Sequence, residues 1–340
     1  MKKIVFILFV FPAASCHLLM SQFDSQVSSY WATPNYFNPG YAGQSGKLEL
    51  TGLYRLQWLG VEHAPKTGII LGEMPVKFFG REHGIGVSMY NDQIGLFKTN
   101  LISGQYAYKI KLFGGSLSIG IQGGYISESF DGTRVKIPED DEQYDPNDEA
   151  IPLTEVSGNS IDGAFGLYYA AKNWYAGLSV THLTSPQLEL SENYILEIPR
   201  SYYFTAGYNI QLNNPLLELR PSVLLKTMEL STIRIEKDSL IVQTKQSVVK
   251  GMLKQTQVDV SLRMVYNKMF WGGLSWRKGD AVQIMIGGKF KMLEVGYVYD
   301  FPISDIIRET SGSHELFIKY SVDMNLKKGK KNKHKSVRIL

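Results

Sequence analysis

The stretch from 258 to 322 limits this 340-residue chain more than any other part of it. Val258, Val260, Leu262, Met264 and Tyr266 alternate with Asp259, Ser261 and Arg263. Val282, Ile284, Ile286, Gly288 and Phe290 alternate with Gln283, Met285, Gly287 and Lys289, and Leu293, Val295, Tyr297 and Tyr299 with Glu294, Gly296 and Asp300. Successive strand side chains point to opposite faces, so each run carries one apolar row and one wet row. Almost nothing separates the runs. Repeated many times behind an export signal, this pattern describes an outer-membrane β-barrel.

The start of the chain reads as that signal. Lys2 and Lys3 are followed by an apolar run from Ile4 to Phe11, and Ala13-Ala14-Ser15 suits cleavage; a cut near Ser21 is the other choice. The run is short and broken by Pro12, which argues against a lasting transmembrane helix. Cys16 is the only cysteine, so it is either lipidated or lost with the signal, and no disulfide forms within one chain. The net charge of +4 misleads. Seven basic residues lie in 327–340 and two more are Lys2 and Lys3, which leaves −5 for the residues between. The basicity belongs to a tail, and a nucleic-acid partner is not expected.

Fourteen strands are expected, starting near Leu48, Ile69, Gly84, Phe97, Ser116, Gly158, Trp174, Ser201, Leu216, Thr256, Met269, Asp280, Met292 and Gly312. An even count leaves both ends of a barrel on the periplasmic side. The even connections are tight and rich in turn residues, as at Asn213-Asn214-Pro215 and Asn267-Lys268. The long connections, 60–68, 129–156, 184–199, 227–254 and 302–311, all fall on odd positions, which suits extracellular loops. The expected architecture is an all-β, transmembrane, antiparallel up-and-down barrel over 48–323. A signal occupies 1–21, a periplasmic segment 22–47 and a basic periplasmic tail 324–340.

Trp58, Trp174, Trp271, Trp276, Tyr299 and Phe301 sit near strand ends and read as interface girdles. Aromatics in a soluble sandwich core are the other reading. The polar row carries Arg55, Asp259, Arg263, Lys289, Glu294, Glu315 and Lys319. Charges of both signs on neighbouring strands suggest a cross-strand ionic network inside the barrel; separate solvation in a wet lumen is the alternative.

Four motifs then stand in order. They are Phe37-Asn38-Pro39-Gly40-Tyr41-Ala42-Gly43, Tyr54-Arg55-Leu56-Gln57-Trp58, Gly296-Tyr297-Val298-Tyr299-Asp300 and Gly312-Ser313-His314-Glu315. Together they resemble the PorP/SprF family of the Bacteroidetes type IX secretion system over about 22–322, with Gly40 where alanine is usual. The resemblance implies an outer-membrane barrel that supports secretion or surface attachment of particular cargo, often large adhesins, with type IX components of the periplasm and outer membrane as partners. It singles out Asn38, Pro39, Gly43, Arg55, Gln57, Trp58, Asp300, His314 and Glu315 as lumen or partner contacts.

Read physically, Asn38-Pro39-Gly40 and Ala42-Gly43 are turn chemistry ahead of the first strand. First and last strands pair in a closed barrel, so an Arg55–Glu315 contact is expected. Ser313 and His314 point to opposite faces of one strand and cannot form a hydrolytic triad with Glu315. The carboxylates of the acidic run 139–149 suit a hard cation such as calcium, but their spacing is not that of an EF-hand loop, and a solvated acidic loop is the other reading. The loop 227–254 alternates enough to form a protruding hairpin and a cargo edge. The tail 327–340 is too charged to pack, and docking to an acidic partner or plain solvation both suit it. Six scattered histidines show no metal spacing, and no enzyme signature or cofactor motif is present. The expected role is binding in secretion, with outer-membrane lipid around the wall. The rival is a diffusion channel or hydrophobic-solute transporter.

Overall fold

The computed structural model describes residues 24–135, 152, 154–191, 194–229 and 256–324. Fourteen strands close into a cylinder. The first half comprises β1 (Lys47–Leu56), β2 (Lys66–Phe78), β3 (Arg81–Ile94), β4 (Phe97–Leu112), β5 (Gly115–Asp131), β6 (Glu155–Ala170) and β7 (Trp174–Thr181). A small separate hairpin, β8 (Gln187–Ser191) and β9 (Tyr194–Glu197), interrupts the series. The wall resumes with β10 (Ser201–Tyr208), prolonged by the short β11 (Ile210–Gln211), then β12 (Leu217–Met228), β13 (Gln257–Tyr266), β14 (Phe270–Arg277), β15 (Ala281–Phe290), β16 (Leu293–Pro302) and β17 (Ser313–Asp323). Neighbours pair antiparallel throughout, β7 pairs with β10, β10 with β12, and β1 with β17. Each wall strand begins within three residues of its sequence-based start.

Closure satisfies every strand edge within the sheet, which is what a hydrocarbon surround demands. The outward rows are apolar. One cross-strand rung joins Ile70, Met89, Ile102, Tyr125 and Ile161, all exposed. The next outward rung toward the long loops joins Asn91, Asn100, Ser127 and Asn159, and marks where the apolar band stops. Tight turns such as Phe79-Gly80, Phe113-Gly114 and Asn267-Lys268 cluster at the opposite end, with Lys47 and Asp323.

A fourteen-stranded bore is wider than the eight-stranded kind that its own side chains can fill. Here the chain fills it with residues 24–46, most of them buried. The sequence reading set 22–47 ahead of the barrel as a periplasmic segment; its described part is seated in the lumen. Asp24 lies at the long-loop end, against His182, Tyr203 and Lys226. From there the segment crosses to the short-turn end and enters β1. An even strand number places Lys47 and Asp323 together, but it does not govern what precedes β1. Lys47 and Asp323 therefore share the short-turn end of the wall, while Asp24 lies at the other end.

The signal, Cys16, the acidic run 139–149, nearly all of the loop 227–254 and the tail beyond 324 lie outside the described residues. Within 184–199 the sequence led to a plain loop, whereas β8 and β9 form a hairpin that buries Leu188 and Leu190 beside β6.

Candidate functional site: the lumen and its internal segment

The wall grips the segment in three places. The first is ionic. Arg55 ends β1, Asp300 lies in β16, Glu315 in β17 and Arg277 at the end of β14, and all four are almost wholly buried. Arg55 Nη2 lies 2.8 Å from Asp300 Oδ2, and Arg55 Nη1 lies 3.3 Å from Glu315 Oε2. Arg277 Nε lies 2.7 Å from Asp259 Oδ1, and its Nη1 3.4 Å from Asp300 Oδ2. Buried charges must pair, because an unpaired one carries its full desolvation cost. The segment completes this network. The backbone N–H groups of Ser28 and Ser29 donate to the two oxygens of Glu315, at 2.8 Å and 2.7 Å. Ser28 Oγ donates to Asp300 at 2.8 Å and accepts from Arg55 and Arg277 at 2.9 Å and 3.0 Å.

Three motif residues, Arg55, Asp300 and Glu315, are thus brought together from β1, β16 and β17 on one serine pair. Alternation puts all of them on the inward row, and closure makes their strands neighbours. The cross-strand network raised by the sequence is present. Asp259 pairs with Arg277, whereas Arg263 lies against Trp31, its guanidinium carbon 3.4 Å from the ring centroid. Lys319 pairs with Glu49 at 3.7 Å, nearer the short turns.

The second grip is steric. Inward-facing glycines of the wall make room for the Asn38–Gly43 turn. A Cβ on Gly166 would fall 2.0 Å from Asn38 Oδ1, one on Gly120 2.3 Å from Gly40 N, and one on Gly84 1.8 Å from Ala42 O. Asn38 holds the turn in place. Its Oδ1 accepts from Gly40 N at 2.8 Å, and its Nδ2 donates to the carbonyls of Leu167 at 2.9 Å and Leu178 at 3.2 Å. Pro39 opens the turn with its ring-fixed φ and is buried. Gly43 has φ +63, and a Cβ there would meet Met74 O at 2.7 Å, so both its backbone and its surroundings call for glycine.

The third grip is a pin at the long-loop end. His182, just beyond β7, lies between two carboxylates, with Nε2 2.8 Å from Asp24 Oδ1 and Nδ1 2.8 Å from Asp162 Oδ2. The Tyr203 hydroxyl donates to Asp24 Oδ2, and Lys226 Nζ donates to the Asp24 carbonyl at 2.6 Å. Burial alone would lower the imidazole pKa, but the charges of Asp24 and Asp162 win and raise it to about 10. Burial opposes ionisation of Asp24 as well, yet His182 and Lys226 hold its carboxyl well below the usual range.

The remaining motif residues separate. Gln57 is buried at the inner rim of the long-loop mouth. The Trp58 N–H donates to Ser313 Oγ at 3.0 Å, in a turn with φ 51. His314 is on the outer face, where it shares a hydrogen bond of 2.6 Å with the Tyr297 hydroxyl. Ser313 is buried on the other side of the strand. Trp271 departs from the girdle reading. It points inward, stacks on Phe317, meets Trp31 edge-on and donates from Nε1 to Glu294 at 3.1 Å. Its odd number, out of phase with outward Leu274 and Trp276, was the available signal. Among the described residues no three His, Cys, Asp or Glu side chains converge on a metal position.

Sequence reasoning missed Ser28, Ser29, Asp24, His182 and Arg277. The two serines and Asp24 sit in a stretch without periodicity, and only the wall gives them meaning.

Several solved structures resemble the chain at low identity. BamA from Haemophilus ducreyi lacking POTRA domains 1–3 is 10% identical, covers 80% of this chain and 70% of its own, and superposes with a TM-score of 0.41. The Pseudomonas putida toluene transporter TodX is 9% identical, with coverages of 82% and 89% and a TM-score of 0.44. The translocator domain of the autotransporter NalP from Neisseria meningitidis is 10% identical, with coverages of 82% and 88% and a TM-score of 0.40. No curated protein matches the sequence. The family model described as type IX secretion system membrane protein PorP/SprF matches residues 19–320. Nearly the whole chain is spanned by that match, and six of the motif residues within it, Asn38, Pro39, Gly43, Arg55, Asp300 and Glu315, build the grips described above: the protein belongs to the PorP/SprF family and is an outer-membrane barrel of the type IX secretion system.

Proposed function

We propose that the protein supports secretion or surface attachment of specific type IX cargo, such as large adhesins, by binding rather than by conduction or chemistry. The observation that carries this reading is the filled lumen. Residues 24–46 are held at both ends and in the middle by the wall, so what the molecule offers to partners is its two mouths. By the usual rule for such barrels, the long-loop mouth faces outward and the short-turn mouth faces the periplasm. Cargo then meets the loops and the β8–β9 hairpin, and secretion components meet the short turns. Asp24 stands at the outer mouth in this orientation.

The test is deletion of the protein followed by comparison of the surface and medium proteomes. The binding reading expects one or a few surface proteins to vanish or to shift into the medium. Unchanged proteomes combined with steady ion conductance of the purified barrel in planar bilayers would favour the diffusion-channel reading instead.

A further inference from the structure

The most exposed large hydrophobic side chains among the described residues are two phenylalanines in equivalent places. Phe79 is 96% exposed and Phe113 is 90% exposed. They occupy the tips of the adjacent β2–β3 and β4–β5 hairpins at the short-turn end, which β3–β4 pairing holds side by side. In both, a Phe-Gly pair forms the turn with positive φ at each residue, 49 and 75 at Phe79-Gly80, 48 and 76 at Phe113-Gly114. That turn favours Asn-Gly, and a bulky residue is disfavoured in the left-handed region. The same costly choice is made twice, and in neither case does the ring bury itself in the protein.

Their height says what surrounds them. On β4 the outward row runs Ile102, Gly104, Tyr106, Tyr108, Ile110, Leu112, without a charge. Ten residue steps span about 34 Å, and a tilt of about 40° leaves about 26 Å along the membrane normal. The apolar band of such barrels is about 25 Å tall, so Phe113 falls at its edge and not in the water beyond. Aromatic rings lead to the same level. Phe78 stacks on His83 at 3.6 Å, and His83 Nδ1 lies 2.7 Å from the Tyr106 hydroxyl. Arg81 adds a cation on the outward row, donating to the Tyr108 hydroxyl with its guanidinium carbon 5.7 Å from that ring. Lys77, Glu82 and Lys111 belong to the inward row, with Lys77 opposite Glu82, so Arg81 is the charge on the outward row at these two tips.

We propose that these paired tips are a phospholipid anchor. Phe79 and Phe113 enter the acyl boundary of the leaflet at the short-turn end, and Arg81 meets a headgroup phosphate between them. Continuity with the lipid-facing band and the positive charge beside the rings both select lipid over a soluble partner. The inference stands apart from the cargo reading, since it concerns how the barrel is held and not what it carries.

The test uses the full chain with Cys16→Ser, in vesicles of phosphatidylethanolamine and phosphatidylglycerol. Spin labels on Phe79→Cys and Phe113→Cys report depth. Collisions with oxygen should exceed those with a water-soluble nickel chelate at both sites. A second arm replaces both rings by the residue the turn prefers, Phe79→Asn with Phe113→Asn, and separately makes Arg81→Gln. Each variant should unfold at lower temperature than the parent in vesicles and lose several-fold in co-purifying phospholipid, while the Asn pair is no less stable than the parent in detergent. Labels that collide freely with nickel, or an Asn pair that is as stable as the parent in vesicles and keeps its lipid, would overturn the proposal. The first of these results would leave the tips to a soluble partner.

Discussion

Arg55 and Glu315 lie opposite each other across the seam where β1 meets β17, their ion pair 3.3 Å long and almost completely buried. Glu315 also accepts the N–H groups of Ser28 and Ser29. One carboxylate therefore joins the first strand, the last strand and the internal segment. Closing the wall and seating the segment are one event at this point.

Removing that carboxylate should be costly. Glu315→Ala leaves Arg55 short of a partner and strands two buried amides, and a broken buried pair costs about 3–5 kcal/mol. Thermal unfolding in detergent, followed by the loss of the compact electrophoretic form, should show a markedly lower midpoint. Glu315→Gln keeps an acceptor without its charge and should fall between the parent and the Ala variant.

The wall glycines make a sharper comparison. Gly166→Ala and Gly120→Ala place a methyl on the Asn38–Gly40 turn. Gly104→Ala and Gly123→Ala meet nothing within 4 Å. Overpacking costs about 1–3 kcal/mol, so the first pair should destabilise the barrel and expose residues 35–44 to protease. The second pair should behave as the parent does.

The pin at Asp24 gives a pH window. The His182 pKa is raised from 6.5 to about 10, so its contribution is complete below about pH 6.5 and fades as pH rises through about 10. Asp24 is shifted the other way. Its contribution is present above its ordinary 3.8 and is lost as pH falls below that. Amide exchange of residues 24–33 should be slowest between these limits and quicken on the alkaline side. In His182→Gln the alkaline change should disappear.

The lumen should not conduct while the segment is in place. Planar-bilayer recordings of the full chain are expected to show no steady open state. A chain lacking residues 24–44 that still folds should open a conductance, because a fourteen-stranded bore is not filled by its own side chains.

Much of this was legible from alternation alone. Strand side chains have a period of two, so the inward placement of Arg55, Asp259, Asp300 and Glu315 followed from the outward placement of Tyr54, Leu262, Tyr297 and Leu316 on the same strands. Closure then brought Arg55 to Glu315. The partner of Asp259 was not legible, because choosing Arg277 over Arg263 needs the β13–β14 register and the position of Trp31. The internal segment was least legible of all. It is surrounded by wall, so burial leaves no face-to-face rhythm in its sequence. Its polar residues Ser28, Ser29 and Asn38 look like solvated loop until their partners in the wall are known. Gly84, Gly120 and Gly166 on inward rows were the trace it left elsewhere.

The most direct measurement is photo-crosslinking from position 30 in living cells. Tyr30 reaches across the lumen, its hydroxyl 3.0 Å from Ser222 Oγ in β12. A benzophenone amino acid at that position should crosslink within the chain, to β12 or its neighbour β13, with almost nothing captured from other proteins. Capture of a periplasmic protein, with no internal product, would place the segment outside the barrel and contradict the filled lumen on which the binding role rests.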